Sequence, residues 1–201
     1  MSALTTAVVG LGPVGQLCAK IALKRPNLKL VSAADLDPQI AGQDLGLVLG
    51  LDRLGVEVSG SLEEALKKAD QGVVVLCTTS YLDKIAQQIE ACVSAGWHVV
   101  STCEELAYPW QSRPEIADRL DRAAKGAKRA ILGTGVNPGF AMDALPAFLS
   151  SVCRRVESVV VERFQDASLR RLPFQQKIGA SLTLSEFEDK VKAGLIRHVG
   201  F

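Results

Sequence analysis

The sequence contains few of the residues on which several classes of protein depend. Its 201 residues include only two histidines, and its five cysteines are odd in number and form no Cys-x-x-Cys pair. A zinc site and a disulfide framework are therefore both poor interpretations. We expect a reduced, cytoplasmic protein without a bound metal.

The sequence also has little net charge and no long apolar run. The net charge is +1 and no run of like charges stands out, so nothing favours nucleic acid or an anionic membrane as a partner. Its apolar runs are shorter than the ~20 residues that span a bilayer. The first five residues also lack the charged start and apolar core of a signal peptide. We expect neither a membrane nor a nucleic-acid partner.

What the sequence does have is a glycine turn between a strand and a helix. The apolar run Ala7–Val9 meets three glycines spaced G-x-G-x-x-G, the pattern of a dinucleotide-binding crossover. The first glycine permits a tight turn, the second lets the backbone approach a pyrophosphate, and the third lets helix and strand pack closely. The residues assigned to the cofactor here are Gly10, Gly12, Pro13, Val14 and Gly15. The apolar face predicted for the helix comprises Val14, Leu17, Cys18, Ile21 and Ala22.

An acidic residue at the end of the next strand supports this interpretation. The predicted strand Leu28–Ala34 ends at Asp35, twenty residues after Gly15. A carboxylate there can accept a hydrogen bond from a ribose 2′-hydroxyl and would repel a 2′-phosphate. We therefore expect NAD as the cofactor, with NADP as the alternative. Asp37, followed by Pro38, is instead predicted to begin a helix that includes Ile40 to Leu49.

Strands and helices alternate along the next hundred residues. This order predicts an α/β fold, a doubly wound parallel Rossmann sheet, in a dinucleotide-binding domain over residues 1–138. The further strands are predicted at 56–58, 72–77, 97–101 and 130–132, and the further helices at 61–68, 81–95 and 114–125.

The pattern changes after Gly139. Val156 to Phe164 alternates polar and apolar residues, which predicts a half-exposed antiparallel strand, and one more helix begins near Ser185. We interpret residues 139–201 as the start of an α+β substrate or dimerisation domain. A half-built β-layer of this kind favours a homodimer.

In a parallel sheet, ligands bind beyond the carboxyl ends of the strands. Thr78, Thr79 and Ser80 follow one strand and are candidates for the cofactor's ribose and nicotinamide, although Ser80 is also a good helix cap. Asn137 follows the last strand, and its amide could bond the nicotinamide carboxamide.

Glu104 and Glu105 directly follow another strand. A carboxylate in a partly dry cleft can act as acid and base, although two adjacent glutamates can also be a solvated helix start. Cys103 beside them raises a second hypothesis, a semialdehyde dehydrogenase with a cysteine nucleophile. That chemistry needs a base, and His98 lies inside a predicted strand.

Several of these stretches match a known family. The matching runs are Ser101–Leu106, Tyr108–Trp110, Gly133–Phe140, Asp166–Ser168, Arg171–Gln175 and Lys177–Ala180. Together they resemble the 2,4-diaminopentanoate dehydrogenases, a group that includes native amine dehydrogenases and is similar in fold to dihydrodipicolinate reductase.

The resemblance implies oxidative deamination of a small amine with NAD(P), and reductive amination of a ketone in reverse. Hydride transfer gives an iminium, water adds and ammonia leaves, while a pocket carboxylate handles the protons. The family's acidic residue matches Glu104, with Glu105 as the second candidate. Arg163 and His198 fall where family members hold the polar end of the substrate.

The chain departs from this family in two ways. Family members are longer, which keeps open a dinucleotide-binding module without catalysis. Dihydrodipicolinate reductase itself is disfavoured, because its paired-histidine and lysine motif has no counterpart here.

Overall fold

A computed structural model describes residues 3–164, 166–169 and 172–196, without the side chains of Pro173 and Lys177. Within these residues all strands join one parallel sheet, as the alternating pattern predicted. The strands are β1 (Leu4–Val9), β2 (Leu28–Ala34), β3 (Val58–Ser59), β4 (Gly72–Leu76), β5 (Trp97–Ser101) and β6 (Ile131–Gly133).

The six strands lie in the order β3-β2-β1-β4-β5-β6. The chain therefore builds outward from β1 in one direction, returns, and builds outward from β4 in the other. Between β1 and β4 the direction of winding reverses, and in open α/β sheets the ligand crevice lies at this point. The fold class is the predicted doubly wound Rossmann sheet.

Helices cover both faces of this sheet. The longest connections are amphipathic: in the helix between β4 and β5 the buried residues recur every three or four positions, as a helix with one face on a sheet requires. The helices are α1 (Pro13–Leu23), α2 (Leu45–Val48), α3 (Leu62–Leu66), α4 (Leu82–Ser94), α5 (Pro109–Ser112), α6 (Pro114–Ala127), α7 (Leu145–Ser150), α8 (Leu172–Lys177) and α9 (Leu184–Lys192).

Helix α1 turns a different face to the sheet from the one predicted. Its buried residues are Gly15, Ala19 and Ala22. Leu17 and Ile21, which belong to the predicted apolar face, are 58% and 47% exposed. The prediction placed the most hydrophobic side chains against the sheet. Close contact between helix and sheet instead requires small residues, because larger side chains would hold the helix away from the strands.

The segment between β2 and β3 contains less helix than predicted. After Asp37 the chain forms hydrogen-bonded turns, in which the carbonyl of Asp37 accepts from the N–H groups of Ile40 and Ala41. Helix is limited to the four residues of α2, whose N-cap is Asp44. The predicted helix start at Asp37 was wrong, because the positive φ of Gly42 interrupts any continuation.

The predicted strand over Val156–Phe164 is also absent. These residues form no hydrogen-bonded ladder in the described chain, and Val160 and Phe164 are 83% and 88% exposed. Alternating polarity predicts a strand only where a neighbouring strand can accept its hydrogen bonds. The remainder of this region contains a π-helical turn (Phe140–Ala144), a 3₁₀ turn (Ala167–Leu169) and helices α7 to α9. The boundary near Gly139 and the pairing of two copies stay predictions.

No helix among the described residues is long and apolar enough to cross a bilayer.

The packing of Gly15 gives a test of the fold. A Cβ at this position would overlap the carbonyl of Gly10 and touch Cys77. We expect Gly15→Ala to lower the free energy of unfolding by about 2 kcal/mol, because the helix must move away from the sheet.

The control is Gly126→Ala in α6, where a Cβ meets nothing within 4 Å. This variant should be about 0.5 kcal/mol more stable than the parent. Urea denaturation measures both changes, and equal stability of the two variants would contradict the packing argument.

Candidate functional site

The glycine turn lies between β1 and α1, as the sequence pattern predicts. Its glycines differ in whether the fold leaves room for a side chain. Gly10 has a φ of +84°, and its backbone lies so close to β4 that a Cβ would be 2.8 Å from the carbonyl of Cys77. Gly12 has an ordinary extended backbone as the N-cap of α1, and a Cβ there would meet nothing within 4 Å. The fold therefore requires glycine at Gly10 and Gly15 but not at Gly12.

The N-terminus of α1 faces this open space without a capping side chain or an acidic residue in its first turn. Unpaired N–H groups and the positive end of the helix dipole make such a terminus favourable for an anion. Pro13 occupies the first helical position, and Val14, which follows it, is 44% exposed. The open space beside Gly12 is where a phosphate group fits.

Besides the ribose contact predicted from the sequence, Asp35 has a structural role that the sequence did not reveal. One carboxylate oxygen accepts from the backbone N–H of Leu11 in the glycine turn (2.5 Å), and the other accepts from Asp37 N–H (2.9 Å). Asp35 therefore connects the end of β2 to the glycine turn and is itself held in one position. Each oxygen retains a lone pair for a further donor such as a ribose hydroxyl.

A cavity of about 410 Å³ lies at the carboxyl ends of β1, β2 and β4. Gly10, Gly12 and Asp35, three of the residues assigned to the cofactor from the sequence, line it. Thr78 and Thr79 also line it, whereas Ser80 contributes its backbone carbonyl to a hydrogen bond with Glu105 N–H.

Other residues of this cavity were not identified from the sequence. Lys84 and Gln88 lie four residues apart on α4, and Gln88 accepts a hydrogen bond from the Thr78 hydroxyl (2.8 Å). Their i, i+4 spacing immediately after a strand-end loop is the signal that could have found them. Leu36, Ser61 and Leu62 complete the wall near Asp35.

Cys77 and Cys18 form a thiol pair beneath the glycine turn. Cys77 lines the cavity, and Cys18 comes from α1. A side-chain hydrogen bond between them lowers the pKa of Cys18 to about 7. The same bond, together with burial, raises the pKa of Cys77. Of the two thiols, Cys18 is therefore the one that ionises first as the pH rises.

The turn after β5 is organised by the buried hydroxyl of Ser101. This hydroxyl donates to the carbonyl of Leu76 at the end of β4 (2.9 Å) and accepts from the N–H of Cys103 (3.1 Å). Cys103 is 1% exposed, and burial raises the pKa of its thiol to about 11. A buried, protonated thiol is a poor nucleophile, which counts against the predicted alternative role of Cys103.

The two adjacent glutamates have different surroundings. Glu105 accepts a hydrogen bond from Leu82 N–H (2.8 Å), the first residue of α4, and lies 4.0 Å from the guanidinium of Arg113. Tyr81, the N-cap of α4, supplies no capping oxygen, so Glu105 caps the helix from another loop. Glu104, by contrast, has a buried Oε2 without a hydrogen-bond partner in the described chain.

Asn137 has a similar unpaired atom beyond the neighbouring strand. Its Oδ1 is buried and makes no hydrogen bond within the residues described. The end of β6 lies against the Glu104 turn, because a Cβ at Gly133 would be 2.6 Å from the backbone of Leu106. The Glu104 turn and the loop that carries Asn137 therefore leave from adjacent strand ends.

Of the two substrate residues suggested by the resemblance, Arg163 does not line this cavity. Arg163 is exposed in the segment without regular structure that follows α7. His198 lies outside the described residues, as do Arg170 and Arg171.

Together these features fit a dinucleotide. The open space at Gly12 and the free helix terminus suit its pyrophosphate, and the cavity beside Asp35 suits its adenosine. The unpaired oxygens of Glu104 and Asn137 lie at the strand ends on the other side of the glycine turn. Buried polar atoms are normally satisfied, so unpaired ones at strand ends, where ligands of this fold bind, are candidates for a ligand contact.

Comparisons with known proteins agree with this interpretation. A family profile described as "Dihydrodipicolinate reductase, N-terminus" matches residues 4–103. The 2,4-diaminopentanoate dehydrogenase of Acetoanaerobium sticklandii is 31% identical over an alignment that covers 100% of this chain and 58% of that protein. An amine dehydrogenase of Streptomyces virginiae is 29% identical over 82% of this chain and 47% of its own length.

The solved structure of an amine dehydrogenase from Mycobacterium smegmatis has a similar fold along nearly the whole chain. It superposes with a TM-score of 0.76 at 29% identity, covering 99% of this chain and 59% of that one. The resemblance inferred from the strand-end motifs is thereby confirmed. The chain spans between 47% and 59% of the length of these relatives.

Gly12 allows ligand binding to be tested separately from folding. We expect Gly12→Asp to keep or raise the melting temperature, because aspartate is a favourable N-cap and a Cβ fits there. The new carboxylate should repel a pyrophosphate and weaken NADH binding about a hundredfold or more.

Gly12→Asn is the matched control, since it has the same shape without the charge. It should bind NADH more tightly than Gly12→Asp at equal stability. Fluorescence titration and thermal unfolding measure both quantities, and unchanged affinity in Gly12→Asp would argue against a pyrophosphate at this turn.

The thiol pair predicts a pH-dependent reaction. Because the pKa of Cys18 is lowered to about 7, its alkylation by iodoacetamide should accelerate as pH rises through 7 and then level off. Cys77→Ala removes the hydrogen-bond donor and should move this rise towards the ordinary thiol value of about 8.5. Peptide mass spectrometry follows the modification of Cys18, and an unchanged profile in Cys77→Ala would contradict the assigned hydrogen bond.

Proposed function

We propose that this chain, a relative of 2,4-diaminopentanoate dehydrogenase and of the amine dehydrogenases, is an NAD(P)-dependent amine dehydrogenase. Its reaction would be oxidative deamination of a small amine and, in reverse, reductive amination of a ketone. The observation that carries the proposal is the buried, unpaired Oε2 of Glu104 beyond β5, at the sheet edge that bears the glycine turn.

The chain's own residues suit the parts of a bound cofactor. The glycine turn and the α1 terminus would hold the pyrophosphate, and Asp35 would accept a hydrogen bond from the ribose 2′-hydroxyl. This role of Asp35 makes NAD the preferred cofactor. Asn137 Oδ1 would accept from the carboxamide of the nicotinamide. When bound, the nicotinamide supplies hydride transfer to or from the carbon that bears nitrogen.

Glu104 is the better of the two acid–base candidates. Its Oε2 is unpaired and can exchange a proton with the substrate nitrogen or with the water that replaces it. Glu105 is engaged as the cap of α4, so its oxygen Oε2 is committed to Leu82 N–H. We therefore assign proton transfer to Glu104 and a positioning role to Glu105.

A dinucleotide-binding module without catalysis is the second candidate. It is favoured by one observation, that the cavity at the carboxyl ends of β1, β2 and β4 is lined by candidate cofactor residues but not by Glu104 or Glu105. This candidate predicts NADH binding without turnover of any amine or amino ketone.

The test compares three variants in an assay of cofactor absorbance with 2,4-diaminopentanoate and simpler amines. Glu104→Gln should reduce kcat/KM by about 10²–10⁴-fold, because it removes the acid–base group, and should leave NADH affinity unchanged. Glu105→Gln keeps an oxygen for Leu82 N–H and should retain most of the activity. Glu105→Ala loses the cap and should be about 1 kcal/mol less stable.

Full turnover by Glu104→Gln would refute its acid–base role. NADH binding by the parent chain, with no turnover on any amine, would instead favour the non-catalytic module.

A further inference from the structure

Two charged side chains line the cavity at the carboxyl ends of β1, β2 and β4. Asp35 enters it from the end of β2, and Lys84 enters it from the first turn of α4. The remaining lining residues are uncharged. A negative and a positive group therefore share the space that suits the adenosine of a dinucleotide.

Asp35 alone would make this space unfavourable for a phosphate ester. Its carboxylate is held by the N–H groups of Leu11 and Asp37, so it cannot swing away from a second anion. An NADP 2′-phosphate next to it would meet a fixed like charge, which disfavours binding.

Lys84 has no structural role that accounts for its charge. It is exposed, and within the described chain no carboxylate lies within 4.0 Å of its ammonium group. The contact it makes is with the ring of Tyr81, 5.0 Å from Nζ to the ring centroid. A cation in the first turn of a helix is also unfavourable for the helix dipole. Apart from the Tyr81 contact, Lys84 is therefore a cation without an ionic partner in the described chain, and it lines the cavity.

We propose that Lys84 is the residue that receives the 2′-phosphate when the bound cofactor is NADP. This inference rests on the proposed function, because it takes the cavity to be the adenosine site of its cofactor. Because Lys84 lines the same cavity as Asp35, the ammonium on its long, flexible stem can leave the Tyr81 ring and turn towards a phosphate held there.

The experiment measures binding without catalysis. Apo protein is titrated with NADH and NADPH, and also with 5′-ADP and 2′,5′-ADP, at low and high salt. The parent chain should bind both dinucleotides, with NADH the tighter. Lys84→Met should weaken the binding of NADPH and of 2′,5′-ADP by about five- to tenfold. It should change the affinities for NADH and 5′-ADP by less than about twofold.

Two controls accompany this variant. Lys84→Arg keeps the charge and should retain NADPH affinity. Lys29→Met removes an exposed lysine from the opposite, amino end of β2 and should change neither affinity. The salt dependence of NADPH binding should exceed that of NADH in the parent and become equal to it in Lys84→Met.

Two outcomes overturn the inference alone. Unchanged affinity for both cofactors in Lys84→Met would show that Lys84 does not bind the 2′-phosphate, and equal weakening of both would show that Lys84 contacts a part that the two cofactors share. A parent chain that binds neither dinucleotide would overturn the proposed function as well. Binding of both, with the predicted change of ratio but no amine turnover, would support the inference and refute the catalytic proposal.

Discussion

The close contact between the glycine turn and the end of β4 is the constraint on which the rest of the site depends. Gly10 lies so near the backbone of Cys77 and Thr78 that a side chain could not be inserted, and Gly15 packs on the carbonyl of Gly10. These contacts bring the α1 terminus to the crevice between β1 and β4. Asp35 then fixes the outer side of the turn through Leu11. The crevice is therefore shaped by backbone packing before any ligand enters it.

A second set of contacts joins the ends of β4, β5 and β6. Ser101 joins the end of β4 to the turn after β5, and Glu105 joins that turn to the start of α4. Gly133 packs against the same turn from β6. Glu104 is thereby held in a turn whose neighbours are engaged, while its own Oε2 is not. A reactive group needs such support, because a small displacement from the productive geometry lowers the rate strongly.

The cavity beside the turn shows how a binding site can combine opposing charges. Asp35 is fixed by two backbone donors, whereas Lys84 is exposed and contacts an aromatic ring. A fixed carboxylate discriminates by hydrogen bonding and repulsion, and a mobile cation can offset the repulsion when a phosphate is present. Cofactor preference in such a site depends on the balance between the two charges.

The sequence alone determined the alternation of strands and helices in the first half, the glycine turn and the acidic residue that follows it, because these depend on local spacing and on backbone conformations open only to glycine. It also made Glu104 and Asn137 candidate site residues, since strand ends of a parallel sheet meet at one edge. It could not separate Glu104 from Glu105, or find Lys84 and the Cys18–Cys77 pair, because those depend on which side chains meet across loops. It wrongly predicted a strand over Val156–Phe164 and an apolar face on α1. Only the tertiary structure decided both of these features. A strand needs a partner for its hydrogen bonds, and which face of a helix is buried depends on how closely the sheet approaches it.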